Sequence, residues 1–249
     1  MDFNYTKIRL GNWLYKNCFP LYNYSYKRFK LKNDRDEIDL LKKLILPGFH
    51  VLDIGANIGF YAEVISEIAG ATGRVYCFEP DQQNFSYLKK NTAAFNNISL
   101  FNNAVSDLKG SLKVYKSKLL NVDHRTYPVS NYDSIEEIEA VTIDDLIQQN
   151  KIEKVDFIKI DIQGYELSAF KGMQQLLKSA KDLQIIAEYW PHGFKRAGTS
   201  GLEFFEFFER MGYKFFLIEN GELTPLGKNY IIQHNDQPFE FSFNILIKK

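Results

Sequence analysis

Asp53, Gly55, Asn57, Gly59 and Glu79 have the types and spacing of a turn that holds a nucleotide. Glycine lets the chain double back and lets a ligand approach the backbone with no Cβ in the way. The first N–H groups of a following helix lack internal partners and point into such a turn. Glu79 comes twenty residues after Gly59, where a carboxylate can accept hydrogen bonds from both ribose hydroxyls. A second set, Asp161, Glu188 and His192, offers acid–base chemistry. An imidazole titrates near working pH, and a partly desolvated Asp can also take a proton. His192 or Asp161 is the expected base, with Glu188 orienting the partner. A metal shared by the three is conceivable, but no ligand spacing demands one.

The elements that must carry these residues are legible around them. Val51 to Ile54 is an apolar run of strand length. Ile58, Tyr61, Ala62, Ile65 and Ile68 then recur at helical spacing, and Arg74 to Glu79 forms a second buried strand ending in its carboxylate. Strand, glycine turn, helix, strand and acid is the opening of a nucleotide-binding βαβ unit. The G-x-G-x-x-G fingerprint of dinucleotide sites is not met, because Asn57 and Phe60 stand where its later glycines would be. No P-loop pattern occurs either.

The wording Asp53-Ile-Gly-Ala-Asn-Ile-Gly-Phe-Tyr61, with Glu79 behind it, resembles the S-adenosylmethionine (SAM) turn of class I methyltransferases, and within them the FkbM-type family. Asn103-Ala-Val-Ser-Asp107 and Asp156-Phe-Ile-Lys-Ile-Asp-Ile-Gln-Gly-Tyr-Glu166 resemble the same family. The resemblance implies a Rossmann-like, doubly wound, mostly parallel α/β sheet of seven strands, the last antiparallel. It implies SAM as cofactor and O-methylation of a hydroxyl on a sugar, glycan or natural product. Carried onto this sequence, Asp53, Gly55, Asn57 and Gly59 would bind the cofactor, the Gly55–Gly59 turn at its methionine end, and Glu79 would meet the ribose. Ala104 and Val105 would flank the adenine. Asp161 could bind the cofactor's amino group instead of acting as base, and Glu37 could reach the same end. Gly164 would serve a tight turn, and Glu166 would suit the helix dipole.

Taken in order, residues 1–35 are a basic, aromatic extension and residues 36–249 the methyltransferase domain. In the extension Trp13, Tyr15, Phe19, Tyr22, Tyr24, Tyr26 and Phe29 interleave with seven basic residues, and Asp2 is the only acid before Asp34. It could dock on an anionic membrane or a phosphorylated substrate. Its aromatics could instead pack on the domain while its cations face water, which the lack of a clean amphipathic stripe favours. Either way it is expected to lie outside the cofactor site. Asp36 to Leu46 and Gln82 to Ala94 read as helices, Ile98 to Val105 as the third strand and Ser111 to Lys116 as a half-buried one. Ser117 to Glu139 reads as a long loop whose Asn121, Asp123, His124, Arg125, Tyr127 and Tyr132 are either an acceptor-recognition set or part of a solvated excursion. Val155 to Asp161 and Asp182 to Tyr189 are the fourth and fifth strands. Asn220-Gly221 turns a hairpin, and Phe239 to Ile247 closes the sheet.

Composition narrows the class. The chain of 249 residues has 45% apolar residues and zero formal net charge, so nothing global favours nucleic acid. Cys18 and Cys77 form no Cys-x-x-Cys pattern, which suits a reduced, cytoplasmic protein. No secretory signal or bilayer-spanning run is expected. The rivals are a non-catalytic SAM-fold binding module and an NAD-dependent sugar enzyme. The missing third glycine and the absence of a Tyr-x-x-x-Lys pair oppose the latter.

Overall fold

The structure is a computed structural model that describes residues 3–117, 132–219, 221–239 and 241–249. It opens with three helices, α1 (Phe3–Asn17), α2 (Phe19–Asn33) and α3 (Arg35–Leu44). Alternation follows: β1 (His50–Ile54), α4 (Phe60–Ala69), β2 (Arg74–Phe78), α5 (Gln82–Asn91) and β3 (Ile98–Phe101). A side sheet interrupts it, made of β4 (Ala104–Val105), β5 (Gly110–Ser117) and β6 (Tyr132–Val141). The chain returns through α6 (Ile143–Gln148), β7 (Phe157–Ile160), α7 (Glu166–Lys171), α8 (Gln174–Ser179) and β8 (Gln184–Tyr189). It ends with α9 (Pro191–Arg196), α10 (Gly201–Glu209), β9 (Lys214–Glu219), β10 (Glu222–Leu226), α11 (Lys228–Gln233) and β11 (Phe243–Lys248).

The main sheet runs β10-β9-β11-β8-β7-β1-β2-β3. β3, β2, β1, β7 and β8 are parallel neighbours, while β11 lies antiparallel between β8 and β9. This is the expected doubly wound sheet, with the hairpin strand β10 as an eighth member at the edge. The order of strand addition reverses between β1 and β7, and ligands bind at the carboxyl ends of the strands flanking such a switch point.

The pleat sorts the core into two layers. Leu52, Ile54, Ile158 and Ile160 face one side with α7 and α10, whereas Val51, Phe157, Ile186 and Leu246 face α3 and α4. Both faces are covered, which is why these strands read as continuous apolar runs. Asp53 and Lys159 alternate onto the α3–α4 face, directly opposite each other across β1 and β7.

Three elements differ from the sequence expectation. The span Ile98 to Val105 is not one strand. Asn102 Nδ2 donates to the carbonyls of Glu79 (2.8 Å) and Pro80 (3.1 Å), pinning the chain behind β2 and sending β4 to the side sheet. The second half of the expected loop, residues 132–141, is strand β6, paired antiparallel with β5. Its acids hid the strand, because pairing along a largely solvated ribbon leaves no strong apolar alternation. Tyr132 stands exposed at the start of β6, edge-on to Tyr115. Asn121, Asp123, His124, Arg125 and Tyr127 lie outside the described residues. The closing strand starts at Phe243 rather than Phe239, whose carbonyl instead accepts from Trp190 Nε1 at 2.8 Å.

α1 and α2 pack their inner aromatics on the domain, as the favoured reading of the extension has it. Phe19 stacks on Tyr87 with ring centres 3.4 Å apart, and the Tyr15 hydroxyl donates to Asn84 Oδ1 at 2.5 Å. Lys27 pairs with Glu63 at 2.6 Å. No described helix is long and apolar enough to cross a membrane. Elsewhere local chemistry sets the ends of elements: Ser200 and Glu203 form a reciprocal capping box on α10. Ser200→Ala is expected to lower stability by about 1 kcal/mol, read as a reduced urea midpoint at unchanged slope.

Candidate active site

A cleft opens at the carboxyl ends of β1 and β7. Asp53, Gly55, Asn57, Glu79, Ala104, Val105 and Asp161 all line it, so seven of the eight expected cofactor residues converge there. Gly59 does not line the cleft. It precedes α4 with φ +93°, and a Cβ there would sit 2.8 Å from Leu88 Cδ1 of α5. Its work is to let α4 and α5 pack.

Gly55 has φ +85°, and a Cβ on it would come within 2.0 Å of the Asp161 carbonyl oxygen. Only glycine lets the turn after β1 press against the loop after β7. Asn57 follows in the left-handed region (φ +51°), its Oδ1 accepting from Ile58 N at 2.7 Å. Asn57 N donates to Glu79 Oε2 and Asp81 N to Glu79 Oε1, both at 2.9 Å. The acid after β2 is thus clamped to the glycine turn, and the Asn84 side chain adds a further hydrogen bond to it. Burial pushes Glu79 up to about 8, against the pull of those N–H groups.

Asp53 is 1% exposed, and neither carboxylate oxygen has a hydrogen-bond partner among the described residues. Burial raises it to about 6, opposed by the charge of Lys159. A buried carboxylate on a cleft wall with both oxygens open is suited to a cationic ligand group. Lys159 is itself buried beneath the Tyr61 ring, its Nζ 4.2 Å from the ring centre. Burial pulls its pKa down, yet Glu37, Asp161, Asp53 and Glu188 together carry it above the ordinary value.

A second cavity adjoins the first over the ends of β7 and β8. Lys30, Tyr61, Lys159 and Asp161 line both, and Glu37, Glu188 and Asn244 line the second. Burial first, and the charge of Asp161 second, push Glu188 up to about 8. Glu37 accepts from Asn244 at 3.1 Å and faces this cavity. His192 is not brought to either wall. It sits in α9, its ring packed near Trp190 and Phe239. Proline at the first turn of α9 starts a helix where a solvated loop was expected, and that helix turns the imidazole toward aromatic neighbours.

The loop after β7 is held by a device that the dipole argument missed. Glu166 Oε1 accepts from Ile162 N (3.0 Å) and Gly164 N (3.2 Å), fixing the turn that carries Asp161. Burial raises Glu166 to about 7. Gly164 has φ +97°, and a Cβ there would collide with the Gly193 backbone at 2.4 Å. The loop after β7 therefore touches α9 backbone to backbone.

Sequence reasoning missed Lys159, Tyr61, Tyr26 and Lys30. A lone lysine between Ile158 and Ile160 in a doubly covered strand was the available signal, since a buried cation needs carboxylate partners. Tyr26 and Lys30 belong to α2 and line the first cavity, so the extension is not outside the cofactor site as expected. Nothing local in sequence marks that contact.

The model of the methyltransferase FkbM domain matches residues 53–215, which span the glycine turn, Glu79 and both cavity strands. The chain belongs to the FkbM methyltransferase family. This FkbM protein is 28% identical over 150 residues to hexuronic acid methyltransferase AglP of Haloferax volcanii, covering 60% of each chain. It is 26% identical over 175 residues to 2-O-methyltransferase NoeI of Sinorhizobium fredii, covering 64% of this chain and 69% of that one. Among solved structures, an rRNA-methylase structure from Clostridium thermocellum matches with TM-score 0.50 and 12% identity, over 86% of this chain and 93% of that one. At that identity the likeness speaks for the fold alone.

Proposed function

We propose that this protein is a SAM-dependent methyltransferase acting on a sugar hydroxyl. The observation that carries it is Asp53, buried on the cleft wall with both oxygens open, beside a glycine turn clamped to Glu79. These residues fit SAM. Asp53 would take its ammonium group and Glu79 its ribose hydroxyls, while Ala104 and Val105 would flank its adenine. When bound, SAM supplies an electrophilic methyl on a sulfonium whose leaving group is a neutral thioether. The chain then has two tasks: to hold the acceptor oxygen in line and to accept its proton. Asp161 is the proposed base, because it lines both cavities. Glu188 would be its protonated neighbour at neutral pH. The names of the two relatives, a hexuronic acid methyltransferase and a 2-O-methyltransferase, favour a sugar acceptor.

Residues 36–249 would be the methyl-transfer domain, and the helical pair within residues 1–35 adds Tyr26 and Lys30 to the cleft wall. Free Cys18 and Cys77 are in keeping with a reducing, cytoplasmic compartment, and the basic helical pair with a place at the periphery of a membrane.

S-adenosylhomocysteine is expected to raise the melting temperature by several degrees when far above its Kd, and NAD to leave it unchanged. Glu79→Ala should weaken that ligand about 2- to 10-fold for each hydrogen bond lost. Calorimetry finding wild-type affinity in this variant would remove the ribose assignment. Methyl transfer from labelled SAM to a glycan panel tests the reaction itself.

A further inference from the structure

Half of the exposed large apolar side chains among the described residues fall between Leu10 and Leu31. On α1, Leu10 and Trp13 are exposed beside Lys16, with Trp13 58% accessible. On α2, Leu21, Tyr24 and Phe29 are exposed, with Phe29 61% accessible. Helical spacing places Arg28 and Lys32 on that same arc of α2, while Tyr22, Tyr26 and Lys30 turn toward the domain. Both helices thus carry an outer face of apolar side chains set among cations. The faint amphipathic signal in the sequence has a physical reason: the inner face is aromatic as well, because it packs on α4 and α5.

Charge selects the partner. Residues 3–33 hold seven Lys and Arg and no acid, in a chain of zero net charge, and of these Lys27 and Lys30 pair with Glu63 and Asp34 on the domain side. The remainder is therefore net acidic. An anionic surface attracts the helical pair and repels the rest, which orients the molecule as well as holding it. Trp, Phe and Leu standing out among Lys and Arg suit the boundary between headgroups and acyl chains. A purely polyanionic partner would leave those apolar groups in water.

We infer that the outer faces of α1 and α2 form a surface that docks on an anionic lipid bilayer. Docking is peripheral, with both helices lying in the interface plane. The opposite face of α2 turns Tyr26 and Lys30 to the cofactor cleft, so the docked surface lies one helix diameter, about 10 Å, from the site of chemistry.

Co-sedimentation of the full chain with phosphatidylglycerol–phosphatidylcholine vesicles tests this against pure phosphatidylcholine. Binding is expected to the anionic vesicles at low salt, falling steeply as salt rises. Trp13→Glu combined with Phe29→Glu, and separately Arg28→Glu combined with Lys32→Glu, should each lower vesicle affinity roughly tenfold or more. The melting-temperature rise with S-adenosylhomocysteine reports folding and cofactor binding in the same variants, so loss of docking reads separately from loss of the methyltransferase site. A wild-type chain that ignores anionic vesicles, or binds neutral ones equally, overturns the inference. So does unchanged binding in both variants. A dimer in solution that the same substitutions dissolve would assign this face to a second copy of the chain instead.

Discussion

Asp161→Asn is expected to cut turnover by ~10²–10⁴ while leaving affinity for S-adenosylhomocysteine within a few-fold. The carboxylate lines both cavities and sits on a loop fixed by Glu166 and by the Gly164–Gly193 contact. Its backbone is therefore fixed, and its Oδ1 accepts from Gln163 Nε2 at 3.0 Å, a bond that an amide oxygen in its place can also accept. Glu188→Gln should behave differently. With Glu188 pushed up to about 8, the wild-type side chain is protonated at neutral pH. Gln mimics that state, and turnover at pH 7 should fall less than roughly tenfold. Above pH 8 the wild type gains a second carboxylate charge beside Asp161 that the Gln variant lacks, so their pH profiles should part there. His192→Ala should leave turnover near normal, because its ring packs near Trp190 and Phe239. Steady-state kinetics on the true acceptor at saturating SAM decide the order. A large loss in the His192 variant with near-normal turnover in the Asp161 variant would reverse the assignment of the base.

Lys159→Met is expected to cost about 3–5 kcal/mol of stability at pH 8, because it strands buried carboxylates that have no other cation of equal burial. Lys159 is 5% exposed and Asp53 1%, and among the described residues Asp53 has no hydrogen-bond partner to fall back on. The pH dependence has a definite sign. Lys159 lowers the Asp53 and Glu188 pKa values from where burial would put them. Its stabilisation is present above those pKa values and is lost as pH falls through them. Asp53 lies at about 6 and Glu188 at about 8, so the gap between variant and wild type should narrow from pH 8 to pH 5. Urea titrations across that window measure it. A gap that stays constant, or widens toward acid, would mean that packing of the lysine stem under Tyr61 dominates instead.

The cofactor half of the site was readable because its parts are local. Asp53, the glycine turn, Asn57 and Glu79 lie within one βαβ unit, and their hydrogen bonds close over 22 residues. That Gly59 lies off the cleft wall was not legible, because a helix-start glycine serves a ligand or a neighbouring helix equally well in sequence. His192 illustrates the converse. Its place four residues after Glu188 is a sequence fact, but the helix that starts at Pro191 sets where the ring points.

By itself the sequence determined the strand–turn–helix order, the acid after the second strand and the family wording, since each is set by φ/ψ preference and hydrophobic period within short spans. Tertiary structure alone decided that Asp53, Lys159 and Glu188 share one face of the sheet. The pleat fixes which side a residue takes within its own strand. Only the register between β1, β7, β8 and β11 aligns those sides, and the β1–β7 part of it joins residues more than a hundred apart. The same holds for α2. Its sequence shows aromatics all round, and the docked domain is what divides them into Tyr26 at the cleft and Phe29 in solvent.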